Sequence, residues 1–348
     1  MDYELIIANL AAAGKTPESW ESSDGSRVLI LPHGGRVLGL FTPAGPANLL
    51  WTNPGLDSIG SALRLFESDE WQNPGGDRTW LAPEVDFNLP DYPKCERYCV
   101  PADLDPGHYT VVTDNGRVTL ENSATLKLSR HKRPVRLTIS KSIGPALNPL
   151  RNEAEGLSEI EYAGYSLRAR LELDDTNGTR ASVGLWNLLQ MPHGGEMIIP
   201  TYARAEPKIY LGNVAREDLI VTDKLVRYKM RAPGEQKIGI GATVTTGRAG
   251  YIYRVGEQTA LVIRNFNVNP SGEYVDVHWQ EPEKPGVVFQ ACNVNNALGS
   301  FSELEYHAPA IGPQLGKTVC EDESQVWGFR GPELEITAVA RRLLTHYI

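Results

Sequence analysis

Short runs of Val, Leu, Ile and Thr, many alternating with polar residues, recur along the chain between residues 27 and 309. A period of two sends successive side chains to opposite faces, so each run predicts a strand with one buried side. The predicted strands are 27–31, 36–41, 117–121, 124–130, 135–143, 165–175, 180–191, 196–202, 225–231, 236–243, 249–255, 258–266, 273–280, 286–294 and 301–309. Turn signals separate them, among them residues 32–35 and Asp114-Asn115-Gly116, where glycine tolerates positive φ. Helical spacing appears in few places. Asp2 can cap a helix carrying Tyr3, Ile6, Ile7, Leu10 and Ala13 on its apolar side, with Gly14 to end it. A second, over 58–66, aligns Ile59, Leu63 and Phe66; a third, beginning with Pro332, aligns Ile336, Val339, Leu343 and Tyr347.

Connections between the predicted strands are too short for the helical crossovers that parallel pairing demands, so the sheets should be antiparallel. Many short strands must bury one face on another sheet. The expected fold is therefore all-β: a large antiparallel β-sandwich with short peripheral helices and a C-terminal helix. No fixed-period repeat points to a propeller. No linker rich in Pro, Gly or Ser divides the chain, so the reading is one domain over 1–348, with an N-terminal helical segment at 1–24 and the C-terminal helix at 331–348.

Composition narrows the function classes. Of 348 residues, 41% are hydrophobic and 22% charged, and the net charge is −9. Nucleic-acid binding needs a clustered basic footprint. The one basic cluster, "RHKRPVR" (130–136), reads as an exposed hairpin tip, so no nucleic-acid partner is expected. The four cysteines are scattered, and the Cys95–Cys99 pair has no second pair at zinc-finger spacing, so reduced thiols and no metal are expected. The N-terminus lacks the basic start of a signal peptide, and no run of apolar residues would span a bilayer. The expectation is a cytoplasmic protein with no membrane partner, a monomer or a homodimer. No P-loop, GxGxxG helix start or GxSxG elbow is present, so no cofactor is expected.

Chemistry concentrates in two stretches. In "NPGGDRTWLAPEVDF" (73–87), paired glycines precede Asp77, Arg78 and Trp80. A carboxylate and a guanidinium fork grip hydroxyls, an indole covers a sugar's C–H face, and Gly75-Gly76 would let the backbone approach a ligand. The plainer reading is a buried Arg–Asp pair with Trp80 in the core. In "FSELEYHAPAIGP" (301–313), Glu303, Glu305 and His307 share one strand face by parity, and adjacent carboxylates raise one pKa toward the range useful for acid/base work. The alternative is a solvated strand face. His193 and His278 stand near these segments in strand order, His278 inside a predicted strand; neither shows metal-ligand spacing.

Three stretches together, "HGGRVLGLFTPAGPANLLWTNP" (33–54), "NPGGDRTWLAPE" (73–84) and "SELEYHAPA" (302–310), resemble the galactose mutarotase-like (aldose 1-epimerase-like) superfamily, in a divergent branch. "GLWNLLQMPHGG" (184–195) is similar to its middle strand. The resemblance covers about residues 25 to 330. It implies a sugar-binding role for Arg78 and a general base at Glu305 with Glu303 as its rival; the family's sugar-binding Asp and second His have no match, and Asp77, Trp80 and His307 stand as candidate substrate-binding residues on their own chemistry. The family's acid histidine falls on Val183, which leaves His193 or His278 to supply the acid. The implied function is a carbohydrate-active isomerase working on a free sugar by general acid/base catalysis. Two other readings remain: a glycoside hydrolase or lyase on the same scaffold, using Glu303 or Glu305 with Asp77, Glu84 or Asp86, and a non-catalytic sugar-binding module.

Overall fold

The computed structural model describes every residue except 115, 132–133, 154–158, 175–180 and 282–283. Asn115 of the predicted hairpin turn, Lys132 and Arg133 of the basic cluster, and the predicted strand ends at 175 and 180 therefore lie outside the described residues.

The first half of the chain supplies β1 (Glu18–Glu21), β2 (Arg27–Leu31), β3 (Arg36–Phe41), β4 (Asp77–Ala82), β5 (Thr110–Asp114), β6 (Arg117–Lys127), β7 (Pro134–Pro145) and β8 (Glu161–Leu173). The middle supplies β9 (Gly184–Pro192), β10 (Glu196–Pro200), β11 (Lys208–Leu211), β12 (Leu219–Val221), β13 (Leu225–Lys229) and β14 (Gly234–Ile240). The last third supplies β15 (Arg248–Val255), β16 (Gln258–Phe266), β17 (Phe289–Asn296), β18 (Gly299–His307) and β19 (Val319–Gly331). Helices α1 (Tyr3–Ala12), α2 (Ile59–Glu67), α3 (Glu84–Phe87) and α4 (Glu333–Leu343) lie between or beyond them.

Two antiparallel sheets form, one of nine strands in the order β1-β2-β3-β4-β9-β18-β17-β14-β11, the other of ten in the order β12-β13-β10-β15-β16-β19-β8-β7-β6-β5. Leu189, Met191, Ala291, Phe289, Leu304 and Tyr306 of the first face Tyr165, Leu167, Tyr251, Val262 and Val326 of the second in one apolar core. This is the β-sandwich the alternation predicts. α1 and α2 close one side, and α4 packs Ile336, Val339, Ala340 and Leu343 on Leu261, Ile263 and Phe329. Among the described residues, no helix is long and apolar enough to cross a membrane.

Several details differ from the sequence reading. Predicted strands 117–121 and 124–130 are one continuous β6, because Asn122 and Ser123 stay in register with Ile139 and Thr138. Residues 273–280 form no strand, so His278 is not mid-strand. β1 occupies part of the segment read as N-terminal helix, since the helix stops at Ala12. In α2, capped by Ser58, Ile59 and Leu63 are exposed; Ala62 and Phe66 are what it buries. Tyr347 lies past the end of α4 and is exposed.

The glycine pair has a different purpose from the one predicted. Both adopt positive φ, +105° at Gly75 and +80° at Gly76. A Cβ at Gly75 would sit 2.3 Å from the Trp51 carbonyl oxygen, and one at Gly76 would sit 2.2 Å from that of Val37. The close approach is to neighbouring main chain. It threads β4 between β3 and β9, with the Gly76 N–H donating to Trp51 O and its carbonyl accepting from Gln190 N.

Candidate functional site

Register decides which side chains meet. In an antiparallel ladder, paired residues point to the same face. Arg78 pairs with Leu188 and Trp80 with Trp186 between β4 and β9. Leu188 then pairs with Glu305, Trp186 with His307 and Gln190 with Glu303 between β9 and β18. Glu303 pairs with Cys292 and Glu305 with Gln290 across to β17, and Cys292 pairs with Lys237 on β14. One face of five adjacent strands thus carries Arg78, Trp80, Trp186, Gln190, Lys237, Gln290, Cys292, Glu303, Glu305 and His307. It is the face turned away from the inter-sheet core.

Two ion pairs organise it. Arg78 Nη1 lies 2.9 Å from Glu303 Oε1, which also accepts from Gln190 Nε2 at 3.0 Å. Lys237 Nζ lies 3.1 Å from Glu305 Oε2, which also accepts from the Trp186 indole N–H at 2.8 Å. Aromatic rings wall the cluster. The Arg78 guanidinium lies 4.2 Å from the centre of Trp80, and the Lys237 ammonium 4.5 Å from that of Trp186. Trp71 and Trp186 flank Trp80 edge-on, and His307 stacks on Trp186. Arg78, Lys237, Glu303 and Cys292 keep 3–6% exposure, whereas Glu305 keeps none.

Two segments that are not strands complete the surroundings. α3 brings Glu84, whose Oε2 lies 3.9 Å from Lys237 and whose Oε1 accepts from the exposed Tyr98 hydroxyl at 3.0 Å. Residues 267–281 bring Asp276, which accepts from the Glu84 N–H at 2.9 Å and from Gln290 Nε2 at 2.8 Å. Because Gln290 gives its amide N–H to Asp276, its Oε1 is the acceptor at 3.0 Å from His307 Nε2. His307 therefore carries its proton on Nε2 and presents a bare Nδ1.

Burial pushes the Glu305 carboxyl up to about 7, with Glu303 and Glu84 adding to the shift and Lys237 opposing it. Burial also raises Glu84. For Lys237, burial acts downward, but Glu305 and Glu84 outweigh it and hold the ammonium well above the usual lysine range. His307 is pushed by burial down to about 4 and is neutral. Three buried acceptors in the cluster have no hydrogen-bond donor, Glu305 Oε1, Gln190 Oε1 and His307 Nδ1, and two buried donors, Arg78 Nε and Nη1, have no hydrogen-bond acceptor. Cys292, Glu303 and Glu305 also place three potential ligand atoms within 4.8 Å of one another, a donor set that sequence spacing did not show. Lys237 and Arg78 already supply positive charge to both carboxylates.

Of the residues singled out from the sequence, Arg78, Trp80, Glu303, Glu305 and His307 come together. Asp77 does not: one position along β4, it points into the inter-sheet core, bonded to Arg264 at 2.8 Å and Tyr165 at 2.7 Å. The Arg–Asp pair suggested by adjacency is thus two separate pairs. His193 follows β9 and bonds Asn293 and Ala232; His278 bonds Tyr210 O; none of these partners belongs to the cluster. Asp86 is held by Arg130 at 2.7 Å, so of the extra carboxylates a hydrolytic reading draws on, only Glu84 stands at the cluster. Sequence reasoning missed Lys237, Trp186, Gln190, Gln290, Cys292, Asp276 and Tyr98. Lys237 had a usable signal, a single charge between the apolar positions of "QKIGI".

A model described as a family of unknown function (DUF6786) matches residues 64–348. No curated protein matches the sequence. Among solved structures, a candidate aldose 1-epimerase from Escherichia coli K12 is similar at 11% identity and a TM-score of 0.52, covering 90% of this chain and 99% of that one. A galactose mutarotase-like protein from Lactobacillus casei ATCC 334 is similar at 10% identity and a TM-score of 0.51, covering 90% and 100%. The fold is galactose mutarotase-like.

Proposed function

This chain belongs to the DUF6786 family of unknown function, and from its fold and its site we propose that it is a carbohydrate-active enzyme of the aldose epimerase type, acting on a free sugar or sugar derivative. The observation that carries the reading is Glu305: a buried carboxyl tuned to about 7, one oxygen without a hydrogen-bond donor, 3.1 Å from an ammonium and in a cluster with a guanidinium and three indole rings.

Interconverting anomers requires opening a cyclic hemiacetal. Glu305 Oε1 takes the anomeric hydroxyl proton, the C1–ring-oxygen bond breaks, and Lys237 gives a proton to the ring oxygen. The open-chain aldehyde rotates about its C1–C2 bond and closes on its other face by the reverse transfers. Those reverse transfers return Glu305 to the carboxylate and Lys237 to the ammonium, so the pair ends the cycle as it began, without bulk water. Arg78 donates to ring hydroxyls from its seat on Trp80, and Trp71 and Trp186 cover the sugar's C–H face. This assignment puts Lys237 in the acid role that the sequence left to His193 or His278.

NMR measurement of anomer exchange on candidate aldoses tests the reading. Glu305→Gln and Lys237→Met should each slow exchange by roughly 10²–10⁴-fold. Rates equal to wild type in both variants would remove the catalytic assignment. Sugar-dependent thermal stabilisation without any acceleration by the wild type would favour a binding module instead.

A further inference from the structure

The charges of the site are lopsided, although its unpaired polar atoms are of both kinds: Glu305 Oε1, Gln190 Oε1 and His307 Nδ1 are buried acceptors without a donor, and Arg78 Nε and Nη1 are buried donors without a hydrogen-bond acceptor. Two cations stand at the site, Arg78 at 2.9 Å from Glu303 and Lys237 at 3.1 Å from Glu305. Against them stand four carboxylates, Glu84, Asp276, Glu303 and Glu305. Asp276 is satisfied by neutral donors, the Glu84 N–H and the Gln290 amide. Glu84 is the outermost of the four, with 27% of its side chain exposed. Among the described residues its only ion-pair partner is Lys237 at 3.9 Å, which sits closer to Glu305.

We propose that this site selects sugars bearing a free ammonium group, 2-amino-2-deoxy aldoses, over their neutral, N-acetylated and phosphorylated counterparts, with Glu84 receiving the ammonium. The inference rests on the reading of this face as a sugar site and names the substrate class it takes. An ammonium brings a positive charge, and N–H groups to place on carboxylate oxygens, to a surface with excess carboxylate. It also stabilises the ionised form of Glu84, which burial and the Asp276 and Glu303 charges disfavour and Lys237 favours. A phosphate meets the opposite situation. It would face Glu84 and the other carboxylates, a like-charge approach that opposes binding. N-acetylation keeps the sugar's shape but removes the charge and two of the donors, which makes it the sharpest control.

Titration calorimetry on the full wild-type chain at neutral pH and physiological salt reads the selectivity directly. The probes are glucosamine and galactosamine, their N-acetyl forms, glucose and galactose, and the two 6-phosphates. The free amines should bind about tenfold or more tightly than the N-acetyl and parent sugars, because one charge-assisted hydrogen bond forms. The phosphates should bind about tenfold or more weakly than the parents, because two like charges are forced together. In Glu84→Gln the amine-to-N-acetyl ratio should fall to near one. Equal affinities across the series, tighter phosphate binding, or an unchanged ratio in Glu84→Gln would overturn the proposal. Anomer exchange followed on the same sugars separates this proposal from the one it rests on. The predicted affinity order without acceleration leaves the selectivity standing and removes the catalysis, exchange without the order does the reverse, and no binding to any probe overturns both.

Discussion

Glu305 and His307, two residues apart on β18, are displaced in opposite directions by the same burial, and this gives the protein a particular pH dependence. Glu305 binds its proton more tightly folded, to about 7, than in an unfolded chain, near 4.5. Its contribution to stability is complete below the lower value and is lost as pH rises through the higher one. His307 binds its proton less tightly folded, about 4 against 6.5. Its contribution is present above 6.5 and is lost as pH falls toward 4. Between about 4.5 and 6.5 the two slopes oppose each other. Urea denaturation across that range should show stability rising with pH in Glu305→Gln relative to wild type, and falling with pH in His307→Gln relative to wild type. The same carboxyl acting as base makes the expected rate profile climb through pH about 7 to a plateau, and Glu305→Gln should abolish that limb. Arg78 poses a different problem. Replacing it with Met leaves Glu303 buried with no cation within reach, which should cost about 3–5 kcal/mol of unfolding free energy. Arg78→Met combined with Glu303→Gln should lose less than Arg78→Met alone.

At the scale of the elements, β4 is the piece on which the site depends most. Its single registered pairing with β3, Val37 opposite Asp77, and its six with β9 hold Arg78 and Trp80 in place, and both require the chain to pass through Gly75 and Gly76. Gly76→Ala would put a Cβ against the Val37 carbonyl at a positive φ, so it should destabilise by about 2–4 kcal/mol, measurable by denaturant titration, and should weaken sugar binding in parallel. β4 is also where the sequence was hardest to read. "DRTWLA" lacks an alternation because both of its faces are buried, Asp77 and Thr79 toward one set of partners and Arg78 and Trp80 toward another. The same holds for the inner end of β19, whose acidic outer positions masked a central strand. Strands with one wet face were the legible ones: β7 was read to within two residues at each end, and β6 was found, though split in two. Of the site, β18 was legible because parity alone groups 303, 305 and 307. Lys237, Trp186 and Asp276 were not, because what joins them to β18 is lateral order within a sheet, and no local pattern encodes which strand lies beside which. The histidines nearest in chain order were misleading for the same reason.

Across the whole molecule, buried charge links the two sheets as well as lining the site. Asp77 and Arg264, both fully buried, join β4 of the nine-stranded sheet to β16 of the ten-stranded one, with Tyr165 of β8 as a second donor. Arg264→Met should therefore be about 3–5 kcal/mol less stable than wild type, and adding Asp77→Leu should recover much of that loss in the same unfolding experiment, because the stranded carboxylate is removed. Nothing in that pair touches the proposed sugar face, so a folded double variant should keep the affinity order of the parent. The order of assembly follows from the positions involved. Arg78, Trp186, Lys237, Cys292 and Glu305 come from strands that are neighbours in space but span most of the polypeptide, and the last of them, β18, is inserted between two that precede it. A nascent chain released before residue 299 has neither Glu303 nor Glu305 to pair with its arginine and lysine. Recognition of a small molecule here can begin only once residues Gly299–His307 have been made and that strand has docked, so ligand binding doubles as a report that the strand is in place.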